Sequence, residues 1–238
     1  MAVTQIVAGV YQIALGVVNA FLIDHDGLTL IDTGTPGSAP RILAAVAELG
    51  RRPADITQIL VTHLHGDHTG SLAALKAATG ATVWMHAADA ALVREGVCAR
   101  PMRPAPGLVP WAMYTLMMRG TSPSVEAVET DRLLDGAAEL PVASGISAIP
   151  APGHSLGQLA FLWPHHGGVL FAADAAATMG GQLGPSIVFE DLDEGGRTLL
   201  RLAALDFEVA CFGHGKPIVG DAGGAFRRRW PGAERARV

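Results

Sequence analysis

Three histidines and one aspartate fall within six consecutive positions, His63-Leu64-His65-Gly66-Asp67-His68, flanked by Thr62 and by Thr69-Gly70. Residues 58–62 before them are apolar and strand-like, so the polar run begins where a strand ends. An extended strand sends successive side chains to opposite faces, whereas a turn lets closely spaced ones converge. Gly66 and Gly70 relieve crowding in such a turn. Imidazole and carboxylate are zinc ligands, and here His63 and His65 can point to one metal while Asp67 and His68 point to another. A fold that uses this run must present it from a rigid strand end.

The rest of the chain supplies a scaffold of that kind. Residues 3–10, 11–15, 20–23, 27–31 and 58–62 read as strands. Ile42, Leu43, Val46 and Leu49 give residues 38–49 a helical spacing that Gly50 closes. Residues 69–78 repeat the helical signal up to Gly80, followed by a strand at 81–86 and a short helix at 87–95. Further strands are predicted at 146–149, 158–163, 168–172 and 209–212, and further helices at 195–205 and 221–229. Residues 96–129 break this pattern. Pro101, Pro104, Pro106 and Pro110 lead into a patch rich in Met, Tyr and Leu at 111–118, which reads as a helical or lid insertion. With half of its 238 residues hydrophobic and 16% charged, the chain can bury a core as one domain over 1–238, sheets inside and helices outside.

Composition excludes several roles. A net charge of −5, with Arg227, Arg228 and Arg229 as the one basic cluster, gives no footprint for nucleic acid. Residues 1–23 carry no charged side chain. They lack a basic start and are interrupted by Gln5, Gly9, Gln12, Gly16 and Asn19, so they read as strands and not as a secretory signal or membrane span. Cys98 and Cys211 are too few for a disulfide framework, which makes free thiols and a cytoplasmic location the expectation.

The run His63 to His68 resembles the HxHxDH signature of the metallo-β-lactamase superfamily, and its further motifs follow in order: Asp32 in Ile31-Asp32-Thr33-Gly34, His154 in Pro152-Gly153-His154-Ser155, Asp174 after the apolar residues 170–173, and His214 in Phe212-Gly213-His214-Gly215. The resemblance spans roughly residues 6–217. It implies an α/β (α+β) fold, a four-layer αββα sandwich with a metal site at one edge between the sheets. It also implies that His63, His65 and His154 hold one metal, that Asp67, His68 and His214 hold another, and that Asp174 bridges them. Asp32 is then the buried aspartate that orients ligands by hydrogen bonds. His25, His86, His165 and His166 lie outside these motifs and read as structural or surface histidines.

The activity so implied is hydrolysis by a dizinc-bound hydroxide, with Mn²⁺ or Fe as alternatives to the two Zn²⁺. Asp67 can also orient the nucleophile or carry a proton. Asp174 argues against a true β-lactamase, since that class lacks the bridging aspartate. Only 24 of the 238 residues follow His214, which argues against the helical substrate domain of glyoxalase II. The expected substrate is a small ester, lactone or thioester. The apolar residues Met102, Leu108, Val109, Trp111, Met113, Leu116, Met117 and Met118 could wall a pocket for an acyl group, pack on the core or make a homodimer contact. Tyr114 is a candidate hydrogen-bond donor to a carbonyl or leaving oxygen. A mononuclear iron persulfide dioxygenase and a non-catalytic metal-binding protein on the same fold are the alternatives.

Overall fold

The computed structural model describes residues 3–119 and 122–232; within helix 108–118 the side chains of Met117 and Met118 lie outside the described residues. A first sheet contains β1 (Val3–Val7), β2 (Val10–Ala14), β3 (Asn19–Asp24), β4 (Leu28–Ile31), β5 (Ile56–Leu60), β6 (Thr82–His86) and, past the short strand β7 (Arg103–Pro104), β8 (Arg132–Leu134). β1 to β4 pair antiparallel in chain order, and β4, β5, β6 and β8 pair parallel. Parallel neighbours need a crossover, which α1 (Ala39–Glu48) provides between β4 and β5. Between β5 and β6 run α2 (Gly66–Thr69) and α3 (Leu72–Thr79), and after β6 come α4 (Ala87–Val93) and α5 (Leu108–Met118).

The second sheet contains β9 (Ala138–Leu140), β10 (Ile146–Pro150), β11 (Leu159–Trp163) and β12 (Val169–Phe171). The hairpin of β13 (Ala176–Met179) and β14 (Gln182–Pro185) follows, then β15 (Val188–Phe189), which pairs with β7. After α6 (Leu192–Ala203), the sheet is completed by β16 (Val209–Cys211), parallel to β12, and β17 (Ile218–Val219); α7 (Ala222–Arg229) closes the described chain.

Strand alternation sorts the apolar side chains into three cores. In β3, Ala20 and Leu22 face α1, α3 and α4, while Phe21 and Ile23 face the second sheet. In β11, Leu159, Phe161 and Trp163 face the first sheet, and Ala160 packs with Leu199, Leu202 and Phe226 of α6 and α7. Three stacked cores require four layers, so the fold is the αββα sandwich.

Several element boundaries differ from the sequence expectation. The strand expected over 3–10 stops at Val7, because Gly9 takes φ +74° and turns the chain into β2. The helix expected over 69–78 is α3, which begins at Leu72 while Thr69 ends the one-turn α2, and the one expected at 195–205 starts at Leu192, with Asp191 as its N-cap accepting the Glu194 N–H at 2.9 Å. Among its described residues segment 96–129 contains one helix, α5, whose Leu108, Val109, Trp111 and Leu116 are exposed and not packed into any of the three cores. Cys98 and Cys211 are buried free thiols, and among the described residues no helix is long and apolar enough to cross a membrane.

Candidate metal centre

The parallel pairs bring the motifs together. β4 and β5 run side by side with Ile31 opposite Leu60, so Asp32 and the run from His63 leave the first sheet at the same edge. β12 and β16 do the same in the second sheet with Phe171 opposite Cys211, delivering Asp174 and His214, while β10 leads to His154. Ligand sites lie outside the carboxyl ends of strands for this reason. The edge is also where backbone strain is stored: Asp32 and Ala173 are buried non-glycine residues with φ of +61° and +48°. The left-handed turns swing Asp32 toward Thr62 and carry the chain from Ala173 into Asp174. Gly213 must lack a side chain, since a Cβ there would meet the Asp174 carboxylate and the His68 ring.

All seven expected ligands converge. His63, His65 and His154 form one group of potential metal donors, His63, His68 and Asp174 a second, and Asp67, His68 and His214 a third, with donor atoms within 4.8 Å of one another in each. His65 Nδ1 lies 2.9 Å from His154 Nε2. Asp174 Oδ2 stands 3.0 Å from His214 Nε2 and 3.5 Å from His154 Nε2, and its Oδ1 is 3.4 Å from His68 Nε2. Asp174 therefore sits between the two sets. His214 Nε2 is 3.4 Å from Asp67 Oδ2.

The surroundings fix which ring nitrogen faces inward. His154 Nδ1 donates to Val188 O at 2.9 Å and His214 Nδ1 to Val17 O at 2.6 Å, which leaves each Nε2 bare when the ring is neutral. Asp32 does the same for two further rings. Its carboxylate accepts the Thr62 N–H, the Thr62 hydroxyl and His68 Nδ1–H, each at 2.8 Å. With its proton committed to Asp32, Thr62 Oγ1 can only accept from His63 Nδ1–H at 2.9 Å, so the aspartate sets the tautomer of His63 through the threonine. Buried His63 Nε2, His68 Nε2 and Asp174 Oδ1 then have no hydrogen-bond partner. Buried polar atoms are normally satisfied, and three converging lone-pair atoms fit a divalent cation.

Charge balance points the same way. Burial and neighbouring imidazoles push His63 well below the usual histidine range, and burial pushes His65 to about 3 and lowers His154, so these rings are neutral. His214 is raised by Asp174, and His68 is raised although burial opposes it, because Asp174, Asp32 and Asp67 surround it. Asp67 and Asp174 are held low despite burial by the His68 and His214 charges. Without a cation, protons on His68 and His214 balance the carboxylates; a cation must displace them. Zinc added near pH 7 to weakly buffered, metal-free protein is expected to release protons, and metal content is expected to fall as pH drops below about 6. Indicator-dye titration and elemental analysis check this; zinc retained in full at about pH 4.5 contradicts it.

Some positioning residues carried no sequence signal. Thr62 stood in the motif without a role, Ser186 Oγ lies 2.8 Å from His154 Nδ1, and Asn19 Nδ2 donates to Gly215 O and Phe212 O across nearly the whole chain. Tyr114 donates to Met102 O at 3.3 Å, which ties it to its own segment.

The profile of the metallo-beta-lactamase superfamily matches residues 13–214. YobT of Bacillus subtilis is 34% identical over 71% of this chain and 66% of its own length, and a hydroxyacylglutathione hydrolase of Cereibacter sphaeroides is 32% identical over 82% and 61%. The chain thus spans just under two thirds of either relative. A solved B3 metallo-β-lactamase with an active-site glutamic acid superposes at TM-score 0.74 and 25% identity, over 97% of this chain and 88% of that one. The chain belongs to the metallo-β-lactamase superfamily. Its His/Asp cluster is the metal-site candidate of that fold.

Proposed function

We propose that this protein is a dinuclear zinc hydrolase of a small ester, lactone or thioester with an apolar acyl group. The observation that carries the reading is the pair of donor sets joined through Asp174. His63, His65 and His154 would hold one ion and Asp67, His68 and His214 the other. Ions held there would supply a water of lowered pKa and a Lewis acid for a scissile carbonyl. Asp32 and Thr62 keep His63 and His68 in the tautomers that face inward. Asp67, less buried than Asp174, is the carboxylate able to orient the attacking water and take its proton.

A thioester gains support from the relatives named hydroxyacylglutathione hydrolase. Segment 96–129 supports an apolar wall. Its base is closed by the Val97–Ser124 bridge, and β7 pairs with β15 beside the Val188 carbonyl that orients His154. The exposed residues of α5 are then available to an acyl chain or to a second copy of the protein. For Tyr114 to reach a substrate oxygen, its hydroxyl must exchange Met102 O for the substrate.

The test is a screen of zinc-loaded protein against aryl esters, lactones, acyl thioesters and β-lactams, with metal counted in the same sample. Two zinc ions per chain and turnover of an ester, lactone or thioester are expected. Turnover confined to β-lactams overturns the substrate class, and one iron per chain with oxygen consumption overturns the hydrolase reading.

A further inference from the structure

One ion pair beside the metal centre, a fully buried carboxylate with a partly buried guanidinium, has no part in the ligand set. Asp89, in the first turn of α4, is 0% exposed. Its Oδ2 accepts the Leu64 N–H at 3.0 Å and the Ser155 hydroxyl at 3.0 Å; its Oδ1 accepts Arg100 Nη1 at 2.6 Å. Arg100 Nη2 donates to Ala88 O at 2.6 Å, and Nη1 lies 3.4 Å from Ser155 Oγ and 3.5 Å from Glu190 Oε1. Glu190 in turn accepts the Leu156 N–H at 2.8 Å. The approach is so close that a Cβ on Gly157 would run into the Asp89 carboxylate.

The partners of this pair are not arbitrary. Leu64 is the residue between His63 and His65, and Ser155 follows His154. One carboxylate thus grips the backbone or neighbour of every imidazole in the three-histidine set. The other set is held differently, by Asp32 on His68 and by Val17 O and Asn19 on the His214 loop. A buried ion pair is a poor source of stability in itself, because desolvation offsets the attraction, so its value lies in the register it imposes.

We propose that Asp89 and Arg100 are positioning residues that lock the His63–His65 loop to the His154 loop, fixing the three-histidine site specifically, and that Arg100 fastens the start of segment 96–129 to both loops. This rests on the reading of His63, His65 and His154 as metal ligands. Neither residue touches a reacting atom.

The test is zinc titration of metal-free protein against a chromophoric chelator, with the melting temperature of the metal-free protein as a second readout. Asp89→Asn removes the charge that holds Arg100. Ser155→Ala cuts only the link to the His154 loop and leaves Asp89 paired with Arg100, so it decides the matter if Asp89→Asn does not fold. Wild type is expected to show two binding steps. In the variants one step weakens about tenfold, the low end of what losing an outer partner costs a metal site, and the other step is unchanged. Two wild-type steps in folded Ser155→Ala overturn the proposal. So does equal weakening of both steps with a lowered melting temperature, which is the mark of a merely structural role. Wild type that takes up no zinc removes the metal reading, and this inference with it.

Discussion

Asp174→Ala is expected to reduce kcat/KM for the substrate found by screening by at least about 10³-fold, beyond the roughly 100-fold that loss of an outer hydrogen-bond partner costs a metal site. Zinc content should fall from two ions per chain toward one. The reason is geometric: Asp174 is the carboxylate that faces His68, His154 and His214 at once, so its removal separates the two donor sets. His68 and His214 lose the largest of the charges that raise them, so in the variant their protons compete less with a cation, and any ion that remains should bind at the Asp67–His68–His214 set or the three-histidine set alone. Steady-state kinetics and elemental analysis on the same preparation check this. Undiminished hydrolysis with two ions retained would show that Asp174 does not join the two donor sets, and undiminished hydrolysis with one ion would remove the dinuclear mechanism.

The second large effect falls on a residue that contributes no donor atom to either set. Asp32→Asn keeps the shape of the side chain but turns one oxygen into an N–H donor, which must face either the Thr62 N–H side or the Oδ2 side, where the Thr62 hydroxyl and His68 Nδ1 approach. In the second arrangement His68 can pair with it only by accepting through Nδ1, which moves the proton to Nε2 and takes away the lone pair that faces the centre. Thr62 is disturbed in the same way, and through it His63. Rings in the wrong tautomer cost a catalytic histidine up to about 10⁴-fold in rate. The expected result is a fall in kcat of between about 10² and 10⁴-fold, with zinc affinity lowered at both sets. Leaving the buried donors unpaired should also lower stability by about 1–3 kcal/mol, read from chemical denaturation of the metal-free protein. A variant with wild-type zinc affinity at both sets would show that Asp32 does not control the ligand rings.

The contrast between these two aspartates marks how far sequence reasoning reaches. The HxHxDH run, the two later histidine motifs and both aspartates are local patterns of residue type and glycine placement, and each could be read without coordinates. The major strands were equally legible, because burial on both faces makes them short continuous apolar runs, as in Ala20-Phe21-Leu22-Ile23, whose alternate residues enter two different cores. Short pieces such as β7, β15 and β17 were not, since two residues carry no period and pair only because the fold holds them together. Asp89 reads in sequence as an ordinary acidic residue in the first turn of a helix, and nothing near it announces a partner at Arg100 or Ser155.

What the sequence determined by itself was the inventory: five imidazoles and two carboxylates of the right chemistry at strand ends, one more carboxylate behind them, and the short apolar runs that build two sheets. What only the tertiary structure decided was the convergence of that inventory and the state of each ring. Parallel pairing of β4 with β5 and of β12 with β16 sets four loop starts side by side, although residues 32 and 214 are far apart in the chain. The inward nitrogen of each oriented histidine is chosen by an acceptor, Val17 O, Val188 O, Asp32 or Thr62, and in most cases that acceptor comes from a distant part of the chain. Hydrogen bonds of this kind depend on position in space and leave no periodicity or motif in the sequence.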